Sequence, residues 1–245
     1  MASEIRRMMA LVGALLLLVA VVGSLASDTV EAQDRRRDAD SIRITDATAV
    51  LTEVAAMPDK GIPRAVLEKA EGIIIFPRAL DITRRRGQGP NTLRSARMLD
   101  IRNRGIFSVR DEKGMWSTPA FLTIAGGPAP EDEDLVLVVV TRTGLDNVSG
   151  YEFQISGPPL VAPGPIGNDM KAWTDAQRNA DILSYSRARG GLTGFSLSGS
   201  VVRGDTIAHQ RFYGKPLTTA AAIALTDSRD PLPGWRAALE KHTSR

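Results

Sequence analysis

The sequence predicts an α+β fold, a largely antiparallel, barrel-like β-sheet with flanking helices. Three observations carry that prediction. Helical periodicity gathers at the two ends of the folded part, at 46–57 and 63–70 and again at 205–213, 217–225 and 233–242. Between those ends lie short apolar runs bounded by Gly, Pro and Asp turn signals, the pattern of strands. "LVLVVVT" (135–141) is the most apolar run after the N-terminus and marks a central strand.

The elements follow in order. "MASEIRR" puts Arg6 and Arg7 ahead of an uncharged apolar run, 8–26, with small residues at Ser24-Leu25-Ala26 and Val30-Glu31-Ala32. Residues 1–32 read as a secretory signal peptide. A retained anchor is the alternative, because a helix of that run is roughly 28 Å long, about one bilayer core. On either reading the rest of the chain is expected to be exported, to the periplasm or to the inner membrane through the apolar segment. Residues 33–45 are polar and read as a linker.

"DATAVLTEVAAM" places Ala47, Val50, Leu51, Val54 and Ala55 at helical spacing. "PRAVLEKA" reads as a second, shorter helix between Pro63 and Gly72. "GIIIF" (72–76) is a buried strand. From 99 to 109 apolar residues alternate with Asp100, Arg102, Arg104 and Ser108, which predicts a strand with one basic face. "WSTPAFLTIAGG" is the next strand, and its Pro119 predicts an edge or a bulge. "PAPEDED" (128–134) is an acidic loop, "YEFQISG" a strand, and "PPLVAPGPIG" an irregular connection. Residues 169–181 form a short polar helix, and 182–187 and 193–203 two strands around Gly190-Gly191. Asp205 caps a helix that ends at Gly214.

Composition removes several kinds of chemistry. The 245 residues include no Cys, which excludes disulfides, thiolate catalysis and Cys-ligated metals. His209 and His242 are the two histidines, too few for a multi-His metal site. The chain has no Walker A loop and no G-x-S-x-G elbow. His209, with Asp205 four residues before it, is the one candidate base, and a half-exposed helical His explains it better. The acidic loop lacks the glycine and the following carboxylate of an EF-hand. No catalytic residue, metal or cofactor is expected. Asn147-Val148-Ser149 is a formal glycosylation acceptor.

Basic charge is concentrated. The net charge is +3, with a pI of about 9.4, yet Arg78, Arg84, Arg85, Arg86, Arg94, Arg97, Arg102 and Arg104 crowd into 78–104 against Asp81 and Asp100. A solvated outer face is the plain reading. The sharper one is contact with an anionic surface, where each basic side chain contributes about 1 kcal/mol. Nucleic acid would also be attracted, but export argues against it as a partner.

Several blocks resemble one family. "GIPRAVLEKAEGIIIFP" (61–77), "GMWSTPAFLTIAGG" (114–127), "DLVLVVVT" (134–141), "TDAQRNADILSYSRARGGLTGFSLSGSVVR" (174–203) and "RFYGK" (211–215) are similar, in order, to the successive signatures of the SYLF domain. The resemblance covers about 46–217 and leaves 218–245 as a C-terminal helical extension. It implies an α+β domain with a barrel-like antiparallel sheet, no catalysis, and binding to phospholipids, phosphoinositides in eukaryotes; some fungal members also bind actin. Within it Ser184, Tyr185, Ser186 and Arg187 are candidates to line a head-group site, beside Arg84, Arg85, Arg86, Arg94, Arg97, Arg102 and Arg104. Hydrogen bonding within the sheet is the competing role for the first four. The chain departs from the family where glycine-rich strands usually follow "IIIFP" and "TIAGG"; here the arginine-rich segment and "PAPEDED" stand there. The function expected is a non-enzymatic phospholipid-binding domain at an anionic membrane surface of the cell envelope. The alternative is a structural or protein-interaction module with a cell-envelope protein as its partner.

Overall fold

The computed structural model describes residues 38–57, 60–79, 104–126, 133–188, 191–225 and 233–244. Residues 41–245 make one compact unit. Two helices lead, α1 (residues 38–55) and α2 (Arg64–Glu68). The strands β1 (Gly72–Ala79), β2 (Arg104–Val109), β3 (Ala120–Ala125) and β4 (Glu133–Val139) follow. Then come helix α3 (Arg142–Ser149), strands β5 (Glu152–Gln154) and β6 (Val161–Pro163), and a short helix α4 (Asp175–Asn179). Strands β7 (Ile182–Ala188), β8 (Gly191–Gly194) and β9 (Val201–Gly204) precede helices α5 (Thr206–Tyr213), α6 (Thr219–Ile223) and α7 (Pro233–His242).

Among the described residues nine strands form one strongly curled sheet in the order β5-β9-β3-β2-β1-β4-β7-β6, with β8 also on β7. Every pairing is antiparallel except β6 with β7. The α+β class and the curled, mostly antiparallel sheet agree with the sequence reading.

Both faces of the sheet are covered, which explains the unbroken apolar runs of β1 and β4. Ile73, Ile75, Val136, Val138 and Tyr185 face one cluster with α1, α2 and the α7 residues Trp235 and Leu239. Ile74, Phe76, Phe107, Leu122, Leu135 and Leu137 face the other, with Leu145 and Val148 of α3. Trp235 is a core residue whose indole Nε1 donates to Ser108 Oγ at 2.9 Å. Near the far end of α7, the Thr243 carbonyl accepts from Arg110 Nη2 at 2.5 Å. The last helix therefore belongs to the same packing unit as the sheet.

Several details differ from the sequence reading. The first helix already includes 38–45, read as linker, and Arg43 is buried against Asp205 at 3.5 Å; arginine is a good helix former, so polar composition did not mark a boundary. The basic face expected of β2 is not open. Ser108 is fully buried, and Arg110, just beyond the strand, is 4% exposed over the Trp116 ring. The stretch 193–203 is not one strand. β8 pairs with β7, whereas β9 pairs with β3 and β5 toward the other side of the sheet. Helix α3 had no prediction, although Thr141 Oγ1 caps it by accepting from Gly144 N at 3.1 Å. Pro119 immediately precedes β3, a position where its missing N–H costs no ladder bond.

Candidate functional site

Strand β7 carries "SYSR" between β4 on one edge and β6 and then β8 on the other. That enclosure decides what the first three residues do. Ser184 is fully buried, and its Oγ lies 2.6 Å from the Phe195 carbonyl and 3.2 Å from that of Ala162. It bonds the sheet to itself. Tyr185 is also fully buried, and burial pushes its pKa up. Its ring lies directly on Gly164, where a Cβ would fall 2.0 Å from Tyr185 Cζ. Gly194 in turn approaches the Gly164 carbonyl so closely that its own Cβ would lie 2.4 Å away. These two glycines permit the close approach that the aromatic ring needs. Ser186 Oγ donates to Glu133 at the start of β4. All three side chains therefore point into packed protein.

Arg187 is different, because β7 reaches the end of the sheet there. Its Nε donates to Asp134 Oδ2 at 2.7 Å, Nη2 sits 2.5 Å from the same oxygen, and Nη1 donates to Glu53 of α1. Burial opposes its charge, and the bonds to Asp134 and Glu53 overcome that and raise its pKa. Asp134 also accepts from the backbone N–H of Arg78 at 2.9 Å. The pairing of β1 with β4 slips by one residue between Phe76 and Ala79, a bulge. Arg78 sits in it with φ 51°, a left-handed backbone that costs a non-glycine residue about 1 kcal/mol. The bulge turns its side chain outward, 67% exposed, to Asp46 of α1 at 2.6 Å. Between α1 and this end of the sheet lies a cleft of about 630 Å³, lined by Asp46, Ala49, Val50, Arg78, Asp134 and Arg187 among others. Its volume suits a small polar ligand.

The arginine-rich segment enters at the same end. Strands β1 and β2 are adjacent and antiparallel, so Ala79 and Arg104, which flank it, lie at one end of the sheet. Arg84, Arg85, Arg86, Arg94, Arg97 and Arg102 lie outside the described residues. Arg104 is described, and it turns inward, 3.6 Å from Asp205. Asp205 also meets Arg43 and caps α5 by accepting from Ala208 N at 3.0 Å. Arg104 therefore belongs to a structural charge cluster. His209 is equally structural. Its Nε2 accepts from Phe121 N at 2.8 Å, so Nδ1, 2.8 Å from the Leu217 carbonyl, carries the proton and donates. That leaves no ring nitrogen of the expected half-exposed kind, since the side chain is fully buried.

Sequence reasoning missed Asp46, Glu53, Arg78 and Asp134 as members of one site. Asp46 and Glu53 are seven residues apart, two helical turns, which puts them on one face of α1. That signal was present. Asp134 was read as loop, and nothing in its neighbours announced that it would stand between two arginines.

Comparison with known proteins gives a consistent picture. Residues 129–241 match the family model Ysc84, described as Las17-binding protein actin regulator. SH3 domain-containing YSC84-like protein 1 of Bos taurus is 26% identical over 163 residues, 64% of this chain and 44% of the relative. The human protein of that name is 26% identical over the same length. LAS seventeen-binding protein 3 of Saccharomyces cerevisiae is 26% identical over 175 residues, 68% of this chain and 35% of the relative. The chain thus spans less than half the length of these relatives. The ordered strand signatures, the curled α+β sheet and these matches agree: the chain is similar to the SYLF domain of the Ysc84 family, with the family match lying over residues 129–241.

Proposed function

We propose that this domain is a non-enzymatic module that holds an anionic phospholipid surface at the cell envelope. The observation that carries the reading is the placement of charge. Eight arginines against two aspartates occupy 78–104, and both ends of that segment leave from one end of the sheet. Arg78 and Arg104 are held by Asp46 and Asp205, which leaves six arginines against two aspartates. Four net charges near an anionic bilayer contribute about 4 kcal/mol at most, a dissociation constant on the order of a millimolar. That strength suits reversible, salt-sensitive attachment, because exposed charges are screened within about 8 Å at physiological ionic strength.

The test is flotation of the chain lacking residues 1–32 with vesicles of phosphatidylcholine, with and without phosphatidic acid. The reading expects recovery with the anionic vesicles alone, and loss of that recovery in Arg84/Arg85/Arg86→Ala. Recovery indifferent to lipid charge contradicts it.

A second reading, a protein-interaction module, is favoured by the description of the family model, Las17-binding protein actin regulator, and by the name of the yeast relative, LAS seventeen-binding protein 3. Binding to a protein partner that survives removal of lipid, in a chain that ignores all vesicles, would select it.

A further inference from the structure

The cleft beside α1 has the makings of an anion site that the protein's own carboxylates keep occupied. Two arginines on adjoining parts of the sheet end, Arg78 and Arg187, face α1, and each reaches one of its carboxylates, Asp46 and Glu53. Those carboxylates stand one helical face apart by two turns, so the helix presents a pair of oxygens to a pair of guanidinium forks. The two arginines are not equivalent. Arg187 is also held by the largely buried Asp134 and is fixed in place. Arg78 meets Asp46 across an open rim, with side chains 67% and 34% exposed. An ion pair so exposed is weak and exchanges readily. Arg78 nevertheless occupies a left-handed backbone inside a bulge, a conformation that aims its side chain at this cleft.

We infer that this cleft binds a phosphate monoester, with Arg78 leaving Asp46 to fork onto the phosphate oxygens and α1 acting as the internal competitor. A dianionic phosphate offers more charge and more acceptor oxygens than one carboxylate, which lets it displace Asp46 first and Glu53 second. Asp134 stays with Arg187 and the Arg78 backbone N–H, so the floor of the cleft keeps its shape. The inference rests on the proposed anionic-lipid function, and adds to it a defined head-group position and a built-in brake. The phosphate comes either from a lipid head group or from free phosphate.

The experiment compares the full chain with Asp46→Asn, Glu53→Gln and Arg78→Gln by calorimetry, using inorganic phosphate and short-chain dihexanoyl phosphatidic acid as the probes. Asp146→Asn, an exposed carboxylate on α3 at the opposite face of the sheet, controls for net charge. Asp46→Asn is expected to tighten binding about fivefold, the upper end for release of an exposed pair. Glu53→Gln tightens it about twofold, and Arg78→Gln weakens it about tenfold. Both probes responding assigns the site to the phosphate group itself. A response to phosphatidic acid alone assigns it to the lipid, and a response to inorganic phosphate alone to free phosphate. Tightening by Asp146→Asn equal to that by Asp46→Asn overturns the site in favour of general charge. Unchanged affinities in all variants overturn it as well; if flotation still depends on lipid charge, the membrane reading survives without the cleft. Charge-independent flotation with the expected response to inorganic phosphate ends the membrane reading and keeps the cleft.

Discussion

The middle of β7 and its end differ in what their polar groups meet. Ser184 spends its hydroxyl on backbone carbonyls, and Tyr185 is sealed against Gly164. Arg187, two positions on, meets carboxylates, one from the sheet and one from a helix across a cleft. The same strand is architecture for half its length and a charged surface at its end. Polar atoms satisfied by backbone cannot be released without unfolding, whereas an exposed ion pair exchanges at little cost. Function is therefore to be sought at the sheet end, and variants on the two sides should separate.

The largest effect is expected in the closed half. Gly164→Val would drive a branched side chain into the Tyr185 ring and should destabilise the domain by about 3 kcal/mol, read as a lower thermal midpoint. An unchanged midpoint would mean that the ring does not lie where the structure puts it. Next comes Arg187→Met. Asp134 would lose its charged partner while remaining largely buried, at a cost of about 2 kcal/mol. Denaturant unfolding measures this, and a cost near zero would show that the inner pair is as exchangeable as the outer one. Ser184→Ala should cost about 1 kcal/mol and leave vesicle flotation unchanged. A change in flotation without a change in stability would move Ser184 from architecture to the binding surface.

The smallest effect at neutral pH concerns Tyr185. Its hydroxyl is buried without a hydrogen-bond partner among the described residues. Burial raises its folded-state pKa above the unfolded value of about 10. The associated stability is therefore complete below about pH 10 and is lost as pH rises beyond it, because only the unfolded chain gives up the proton there. Tyr185→Phe should remove that part of the alkaline slope and leave stability at pH 7 within about 1 kcal/mol. An alkaline unfolding curve identical in both proteins would contradict the burial of the phenol.

The same contrast explains what could be read in advance. The apolar runs of β1 and β4 and the periodicity of α1 follow from local pattern, and they were legible. "SYSR" was legible as a strand, but not as two environments, because the change at Arg187 depends on where β4, β6 and β8 stop. The split of 193–203 into β8 and β9 was hidden for a related reason. Continuous alternation does not say that a strand changes partners. Arg78 was visible as one of eight arginines, and nothing local distinguished it. Its distinction comes from a slip in the register with β4, a non-local fact. The arginine density of 78–104 was legible in the sequence, whereas the pairing of Arg78 and Arg187 with carboxylates of α1 depends on the fold.

The most direct test of the central claim is flotation of the chain lacking residues 1–32 with phosphatidylcholine vesicles that do or do not contain phosphatidic acid, at low and at high salt. Reversible electrostatic attachment predicts recovery with the acidic vesicles at low salt, and its loss at high salt and with neutral vesicles. Equal recovery with both kinds of vesicle, or recovery that salt leaves untouched, would contradict it.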